Sequence, residues 1–257
     1  MNLKDKRIIV TGGSKGIGAS VVKNYCLKGA KVVSFDVDDI NGKNIVDECN
    51  KINNESAMFL KVDISNHEQV VEGFKKAIEF LGGLDVLANV AGVHKAIPAD
   101  TTSTLDIEFI TGVNINGTIF TNQEAFKYLK DNGGAIINFG SISGLRPEVG
   151  SALYSLTKGA VHSWTRTIAH EWGKYNIRVN AILPIIATPM YKASLEAMNE
   201  EQLESFKRNT LSQIPIGREY GDADKDLAPV MNFFASDDSR FITGQLIPVD
   251  GGLASIR

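Results

Sequence analysis

Cysteine, excess charge of either sign and long apolar runs are all scarce in this sequence. Only two of its 257 residues are cysteine, Cys26 and Cys49, and both lie in segments with the pattern of an amphipathic helix. Such thiols could pair, but they are more commonly small buried side chains in a reducing compartment. No cluster of residues has the spacing of metal ligands, so we expect no metal site.

The charge and hydropathy patterns exclude several kinds of partner. A net charge of −3 leaves no electrostatic footprint for nucleic acid or for an anionic membrane. No apolar run approaches the ~20 residues that a membrane span needs. The opening stretch MNLKDKRIIV is charged and enters a strand pattern at once, so it lacks the apolar region of a signal peptide. We therefore expect a cytoplasmic protein.

Apolar strands alternate with amphipathic helices along most of the chain. The strand patterns are nearly continuously apolar, which is typical of a parallel sheet covered by helices on both faces. There is no internal repeat, low-complexity tract or linker, so residues 1–257 are predicted to form a single α/β domain. The main strands are predicted at 7–10, 31–36, 57–63, 84–92, 134–141 and 176–183, and long helices at 66–81, 105–131 and 151–174.

Residues 187–220 interrupt this alternation. Their apolar face is intermittent and consists of Met190, Leu195, Met198, Leu203 and Phe206. The segment could be two short packed helices or a mobile lid over a pocket, and we favour the lid.

A glycine-rich turn, TGGSKGIG at 11–18, lies between the first strand and the first helix. Gly12, Gly16 and Gly18 remove side chains where a pyrophosphate would approach, and the helix N-terminus offers free N–H groups and the positive end of its dipole. The glycines alone could form a tight turn without a ligand. Their position in a βαβ unit favours a dinucleotide site.

An acid, Asp36, ends the second strand eighteen residues after Gly18. It could be an ordinary turn residue, but a carboxylate at this point can accept hydrogen bonds from an adenosine ribose. It would also repel a 2′-phosphate, by at most about 4 kcal/mol for unit charges ~4 Å apart at an effective dielectric of ~20. Asp36 therefore favours NAD over NADP, although the nearby cation Lys15 could offset part of the repulsion.

The stretch YSLTK places Tyr154 and Lys158 one turn apart on the same face of a helix. Most pairs with this spacing only decorate a surface. A tyrosine with a pKa near ~10 is a poor base at neutral pH, but nearby positive charge favours its phenolate. Lys158 supplies one charge and an oxidised nicotinamide would supply another. Ser141, which leaves the preceding parallel strand, could then hold a substrate oxygen.

Together these features resemble the short-chain dehydrogenase/reductase family. The resemblance spans nearly the whole chain in the family's order. It implies a Rossmann-type, doubly wound, seven-stranded parallel sheet with helices on both faces, and hydride transfer between NAD(P) and an alcohol or carbonyl. It rests on TGGSKGIG, NVAG at 89–92, Asn114 in VNINGTIF, Ser141, YSLTK and ITGQLIPVDGG at 242–252.

The resemblance also implies a role for each matching residue. Tyr154 is the general acid/base, and Lys158 lowers its pKa and binds the nicotinamide ribose. Ser141 orients and polarises the substrate oxygen, with Ser143 as a nearby rival, and Asn114 helps position a water that relays protons through Lys158. The cofactor contacts implied are Gly12, Ser14, Lys15, Gly16, Ile17, Gly18, Asp36, Asp63, Ile64, Asn89, Ala91, Gly92, Tyr154, Lys158, Ile186 and Thr188.

Two departures from the family pattern bear on these expectations. Val90 replaces the second asparagine of the usual NNAG, which predicts a local repacking beside the central sheet. The turn LPIIATPM after the sixth strand lacks a glycine and is one residue short. In the family this loop passes the nicotinamide, so the change affects the carboxamide contacts implied for Ile186 and Thr188, and it could reshape the substrate pocket.

The histidines and tryptophans fall outside these motifs. His94 follows NVAG at the carboxyl edge of the sheet, where α/β folds bind ligands, so it could touch substrate or be a solvated loop residue. His162 and His170 share the helix of Tyr154, and we expect structural or surface positions for them. Trp164 and Trp172 are expected to pack or to make subunit contacts.

The function expected is NAD-dependent interconversion of a secondary alcohol and its ketone. The Met, Tyr, Leu and Phe side chains of 187–220 favour a hydroxysteroid or bile acid as substrate. A 3-oxoacyl-carrier-protein reductase, a sugar or polyol dehydrogenase, and a non-enzymatic nucleotide sensor are the alternatives. The resemblance implies a homotetramer in which helices 105–131 and 151–174 pair across a dimer interface.

Overall fold

A parallel sheet of seven strands forms the centre of the computed structural model, which describes residues 2–53 and 55–254. The strands are β1 (Arg7–Thr11), β2 (Lys31–Asp36), β3 (Ala57–Lys61), β4 (Val86–Asn89), β5 (Gly134–Phe139), β6 (Ile177–Pro184) and β7 (Leu246–Val249). Their order across the sheet is β3-β2-β1-β4-β5-β6-β7. The direction of winding reverses between β1 and β4, and ligands of doubly wound sheets bind at the carboxyl edge beside that point. The predicted fold class is confirmed.

Helices cover both faces of this sheet. They are α1 (Gly16–Leu27), α2 (Asp39–Ile52), α3 (His67–Leu81), α4 (Thr104–Thr111), α5 (Gly117–Leu129), α6 (Ala152–Trp172), α7 (Pro189–Glu196), α8 (Glu200–Asn209) and α9 (Ala228–Ala235). A π-helical turn at Gly112–Asn116 joins α4 to α5, so the single helix predicted over 105–131 is interrupted. In the described ranges, no helix is long and apolar enough to cross a membrane.

The core consists of two apolar layers, one on each face of the sheet. Alternate side chains of a strand point to opposite faces, so Ile8 and Val10 join the layer beneath α1, α2 and α9, while Ile9 joins the layer beneath α3, α5 and α6. Cys26 and Cys49 are free thiols, fully buried in the first layer. This agrees with the prediction of small buried cysteines.

Three strands end earlier than predicted. Those expected over 57–63 and 134–141 end at Lys61 and Phe139. The strand expected over 84–92 covers only Val86–Asn89, because the chain leaves the sheet after Asn89. Thr11 braces this exit, since its hydroxyl donates to Asn89 Oδ1 at 2.8 Å and accepts from the Ala91 N–H at 3.1 Å. Val90 packs against the first apolar layer. An apolar side chain in place of asparagine is thus accommodated by the core.

Residues 187–220 form α7, α8 and a 3₁₀ turn at Leu211–Gln213, so two short helices are present. Tyr191 and Tyr220 stack with their ring centroids 4.2 Å apart, and Phe206 lies 6.2 Å from Tyr191. These three rings form an aromatic cluster. The side chain of Met190, which was assigned to the apolar face, lies outside what the structure describes.

Candidate active site

The glycine-rich turn packs directly on the end of β4. Gly12 has a φ of +70°, and a Cβ there would lie 2.7 Å from Ala91 Cα. A Cβ on Gly18 would lie 1.9 Å from the Gly12 carbonyl oxygen. Gly13, which is not one of the three glycines predicted to approach the pyrophosphate, also has no room for a side chain. A Cβ there would lie 2.2 Å from Ser34 Oγ. Side chains at these positions would push α1 away from the sheet.

The N-terminus of α1 has the features of an anion site. Asp38 and Asn66 cap α2 and α3 with their side chains, whereas no side-chain cap is found at Lys15, which precedes α1. The first N–H groups of α1 are therefore available to a phosphate. Thr188 passes beside this N-terminus, 3.9 Å from the position of a Cβ on Gly16. The turn fits the pyrophosphate of a dinucleotide.

Two carboxylates stand beside the glycine turn. Asp36 accepts hydrogen bonds from the backbone N–H groups of Ser14 and Asp38, each at 3.0 Å, and each carboxylate oxygen keeps a further lone pair. Lys15 Nζ lies 2.5 Å from Asp38 Oδ2. Hydrogen bonds from Lys15 and then Asn41 lower the pKa of Asp38 to about 2. The cation of the turn is thus paired with a carboxylate of the β2–α2 loop.

Tyr154 and Lys158 share one face of α6, next to the end of β5. The buried Lys158 ammonium donates to the Phe139 carbonyl at 2.8 Å and lies 5.6 Å from the Tyr154 ring centroid. Burial, without a compensating carboxylate among the described residues, lowers the pKa of Lys158 to about 8. A buried cation with one carbonyl partner retains N–H donors for ribose hydroxyls.

The phenol of Tyr154 is held in its neutral form by its surroundings. Burial is the largest cause that raises its pKa, a hydrogen bond with Ser141 opposes the rise, and the Glu148 carboxylate adds to it. Lys158 was expected to lower this pKa. In the protein alone burial prevails, so the pKa of Tyr154 lies above its ordinary value.

A short chain of polar groups leads away from Ser141. Its hydroxyl donates to Ser143 Oγ at 3.0 Å, and Ser143 in turn donates to a carboxylate oxygen of Glu148. Ser151 donates to the other Glu148 oxygen at 3.4 Å. Ser141 and Ser143, the two candidates for binding the substrate oxygen, are therefore hydrogen-bonded neighbours. Glu148 was missed from the sequence because it stands in an exposed loop with no motif of its own.

His94 reaches the same site from the end of β4. Its Nε2 lies 3.1 Å from Ser151 Oγ, and its ring meets the Tyr154 ring edge-on with centroids 4.6 Å apart. His94 is also exposed in its loop, so contact with substrate and a solvated loop position both stay open for it. Within the described chain, no group of three or more His, Cys, Asp or Glu side chains could hold a metal ion.

His162 lies buried behind Ser141. The Ser141 N–H donates to His162 Nε2 at 3.3 Å. Cβ atoms on Gly140 and Gly144 would lie 2.4 and 2.7 Å from the imidazole, so both glycines let the loop wrap around it. Burial and then Lys158 lower the pKa of His162 to about 4. His162 therefore has the structural position that was expected, and it supports the backbone of Ser141.

Asn114 lies in the π-helical turn and joins three elements. Its Oδ1 accepts from the Val93 N–H at 2.8 Å, and its Nδ2 donates to the Val93 carbonyl at 2.9 Å and to Thr157 Oγ1 at 3.1 Å. A Cβ on Gly92 would lie 3.4 Å from both Asn114 Oδ1 and Lys158 Nζ. The structure thus brings Asn114 and Lys158 to the same spot at the end of β4.

The remaining cofactor positions divide into two groups. Asp63 and Thr188 stand at the carboxyl edge, where Asp63 accepts from the Ser65 N–H at 2.9 Å and Thr188 caps α7. The side chains of Ile64, Asn89 and Ile186 are buried at 5%, 2% and 6% exposure. These three residues offer a cofactor little exposed surface. Ile17 packs against the core layer beneath α1.

Comparisons with known proteins identify the family of this chain. A family model described as enoyl-(acyl carrier protein) reductase matches residues 12–254. Meso-2,3-butanediol dehydrogenase of Serratia marcescens is 35% identical over 254 residues, which are 98% of this chain and 96% of that protein. The 3-oxoacyl-[acyl-carrier-protein] reductase of Thermotoga maritima is 31% identical over 98% of this chain and 99% of its own.

A solved structure gives the same result. The 3-ketoacyl-(acyl-carrier-protein) reductase of Brucella melitensis, complexed with NADH, superposes with a TM-score of 0.86 at 28% identity, over 98% of this chain and 99% of that one. The expected Rossmann-type sheet agrees with this likeness. The chain belongs to the short-chain dehydrogenase/reductase family of NAD(P)-dependent oxidoreductases.

Proposed function

We propose that the protein is an NAD-dependent oxidoreductase that interconverts a secondary alcohol and its ketone, with Tyr154 as general acid/base. One observation carries the proposal: the Tyr154 phenol, hydrogen-bonded to Ser141, lies above a buried Lys158 whose Nζ is 5.6 Å from its ring centroid. These groups meet at the sheet edge beside the uncapped end of α1. The nicotinamide supplies the hydride acceptor or donor when it is bound.

The proposed roles follow from what each group can donate or accept. During alcohol oxidation Tyr154 Oη takes the proton of the substrate hydroxyl, and Ser141 Oγ holds the same oxygen in place. Lys158 stabilises the phenolate and binds ribose hydroxyls. Asn114, fixed by Val93 and Thr157, lies where a water could carry the proton onward from Lys158.

The preference for NAD is supported by Asp36. Its half-buried carboxylate stands at the end of β2, where it can accept from the ribose hydroxyls of NAD and repel the extra phosphate of NADP. Lys15, which could have offset this repulsion, is paired with Asp38. NADP is the less favoured cofactor.

The substrate proposed is a secondary alcohol without an anionic group beside the reacting carbon. Glu148 places negative charge near the reacting phenol, which disfavours an anionic group close to the reacting carbon. The aromatic cluster of Tyr191, Phe206 and Tyr220 supports residues 187–220 as a lid and an apolar substrate such as a hydroxysteroid or bile acid. The relative that is named for butanediol favours a small diol instead.

A 3-oxoacyl-carrier-protein reductase is the second candidate. It is supported by the relative from Thermotoga maritima and by the Brucella melitensis structure. The latter is complexed with NADH, so Asp36 alone does not argue against this activity. A panel that contains diols, sugars, bile acids and β-hydroxyacyl thioesters separates these substrate classes.

We also propose that residues 1–257 work as one catalytic domain within a cytoplasmic homotetramer. Leu105 and Phe109 on α4 and Leu156 on α6 are 76%, 56% and 60% exposed, which supports contact between copies through these helices. Analytical ultracentrifugation measures the number of copies, and a monomer at micromolar concentration would contradict the proposed assembly.

Replacement of Tyr154 by phenylalanine tests the proposed function. The rate of NADH formation from the best alcohol of the panel should fall by ~10²–10⁴-fold or more, because the acid/base is lost. The dissociation constant for NADH should change much less than this rate. A non-enzymatic nucleotide sensor would show no turnover in the wild-type protein and no effect of the substitution.

A further inference from the structure

Lys15 is the cation of the glycine turn, and its charge is already paired. Its Nζ lies 2.5 Å from Asp38 Oδ2, although 69% of the Lys15 side chain is exposed. The hydrogen bond to Asp38 is the largest cause that raises the pKa of Lys15, and the Asp36 carboxylate also contributes. The ammonium therefore lies in the field of both carboxylates, at the place proposed for the adenosine ribose.

Asp38 is fixed independently of Lys15. Its backbone N–H donates to Asp36 Oδ1 at 3.0 Å, and its carbonyl accepts from Ser14 Oγ at 3.1 Å. Its carboxylate caps α2 by accepting from the Asn41 N–H at 3.1 Å and from Asn41 Nδ2 at 2.8 Å. The lysine stem is flexible, so Asp38 determines where the ammonium rests.

This arrangement bears on the 2′-phosphate of NADP. To bind that phosphate, Lys15 would have to leave Asp38, and an unpaired carboxylate would then remain beside a dianion. Without the Asp38 charge, Lys15 would be free to turn toward the phosphate from the N-terminus of α1. The cation of the turn would then favour NADP, as a lysine near a phosphate ordinarily does.

We propose that Asp38 is a positioning residue for cofactor selection, which withholds Lys15 from the 2′-phosphate of NADP. The inference rests on the proposed binding of a nicotinamide dinucleotide at this turn. Asp36 acts on the phosphate by its own charge, whereas Asp38 acts through Lys15. The effect of Asp38 on NADP binding therefore requires Lys15, whereas the effect of Asp36 does not.

A double-mutant cycle with Asp38→Asn and Lys15→Met separates these effects. Asparagine is also a good N-cap, so α2 keeps its start, and methionine keeps most of the lysine stem. The dissociation constants for NADH and NADPH are measured by the fluorescence of the reduced nicotinamide, without substrate. Asp38→Asn should tighten NADPH binding about fivefold and leave NADH within about twofold. In the Lys15→Met background the same change should tighten NADPH by less than about twofold.

Glu48→Gln is the matched control. Glu48 Oε2 lies 2.5 Å from Lys23 Nζ, and this exposed ion pair joins α1 to α2. The substitution removes the same charge but lies away from the glycine turn. It should leave the ratio of the two dissociation constants unchanged, and a melting curve for each variant establishes that it folds.

Two results would overturn the inference. The first is an equal gain in NADPH affinity with and without Lys15, which would mean that Asp38 repels the phosphate directly. The second is no gain even with Lys15 present. The wild-type protein tests the proposed preference for NAD separately, because equal affinities for NADH and NADPH would refute it. The double-mutant cycle would still measure the coupling between Asp38 and Lys15. If neither nucleotide binds, the cofactor site and the inference fail together.

Discussion

Lys158 lies beneath the ring of Tyr154, with Nζ 5.6 Å from the ring centroid, and its one hydrogen bond to protein that the structure describes goes to the Phe139 carbonyl. A cation in this position is costly to the folded protein, since burial lowers its pKa to about 8. The remaining N–H groups of the ammonium are available to a cofactor. Lys158 therefore lowers the stability of the protein while it serves the proposed reaction, and a substitution at Lys158 can test both effects.

Lys158→Met should make the protein more stable at pH 7 and inactive. At about 1.4 kcal/mol per tenfold change in an acid dissociation constant, lowering the pKa from 10.5 to about 8 corresponds to on the order of 3 kcal/mol. Loss of the hydrogen bond to Phe139 offsets roughly 1 kcal/mol of this. Thermal unfolding without cofactor should therefore show a melting temperature higher by several degrees.

The pH dependence of that gain follows from the same pKa. Between pH 8 and 10.5 the unfolded chain binds the Lys158 proton and the folded protein does not, so the wild-type free energy of unfolding rises with pH. The advantage of the methionine variant should shrink across this window. Lys31→Met is the control, because Lys31 also donates to a backbone carbonyl, of Phe80, but is only half-buried. An advantage of Lys158→Met that persists above pH 10.5 would contradict the explanation.

Acid should destabilise the protein through His162. Its pKa is about 4 in the folded protein and 6.5 in the unfolded chain, so the unfolded state binds more protons between these values. The free energy of unfolding should therefore fall as the pH falls from 6.5 to 4, and it should not respond to His162 above 6.5. His162→Gln should flatten this part of the profile measured by urea unfolding. Exposed His170 is the control, and His170→Gln should leave the profile unchanged.

The sequence predicted the sheet well because its strands are nearly continuously apolar. The strand expected over 31–36 has those bounds in the structure, whereas the one expected over 84–92 is confined to Val86–Asn89. Residues 90–92 look like strand by composition, but their backbone turns away from the sheet to form the site. The π-helical turn was also missed, because it depends on Asn114 bonding to Val93 and Thr157 from other elements.

The candidate site was predictable where family order places its residues. Ser141, Tyr154 and Lys158 come together as the resemblance implies. Glu148 and Asp38 were not found, since each acts through a contact that a loop conformation creates. Glu148 reaches Ser143 across the loop after β5, and Asp38 meets Lys15 between two different turns. Spacing along the chain carries no signal for such pairs.

Glu148→Gln should move the acidic limb of the pH profile for alcohol oxidation to lower pH. The Glu148 carboxylate raises the pKa of Tyr154 in addition to burial, and oxidation needs the phenolate. Glutamine keeps the size of the side chain and removes the charge, so the Tyr154 pKa should fall. The measurement is kcat/KM against pH. Glu219→Gln is the control, because Glu219 raises the pKa of Tyr191 instead. A limb that stays in place or moves to higher pH would show that Glu148 does not act on the phenol.

Gly18→Ala should weaken dinucleotide binding and destabilise the protein. A Cβ at Gly18 would lie 1.9 Å from the Gly12 carbonyl oxygen, which belongs to the backbone and cannot move aside cheaply. The start of α1 would then shift from the position that its free N–H groups need for a phosphate. NADH affinity should drop by at least about tenfold, and the melting temperature should fall. Gly173→Ala is the control, because Gly173 has nothing within 4 Å of its Cβ position, and NADH affinity should not change. Wild-type NADH affinity in Gly18→Ala would mean that α1 does not hold the pyrophosphate.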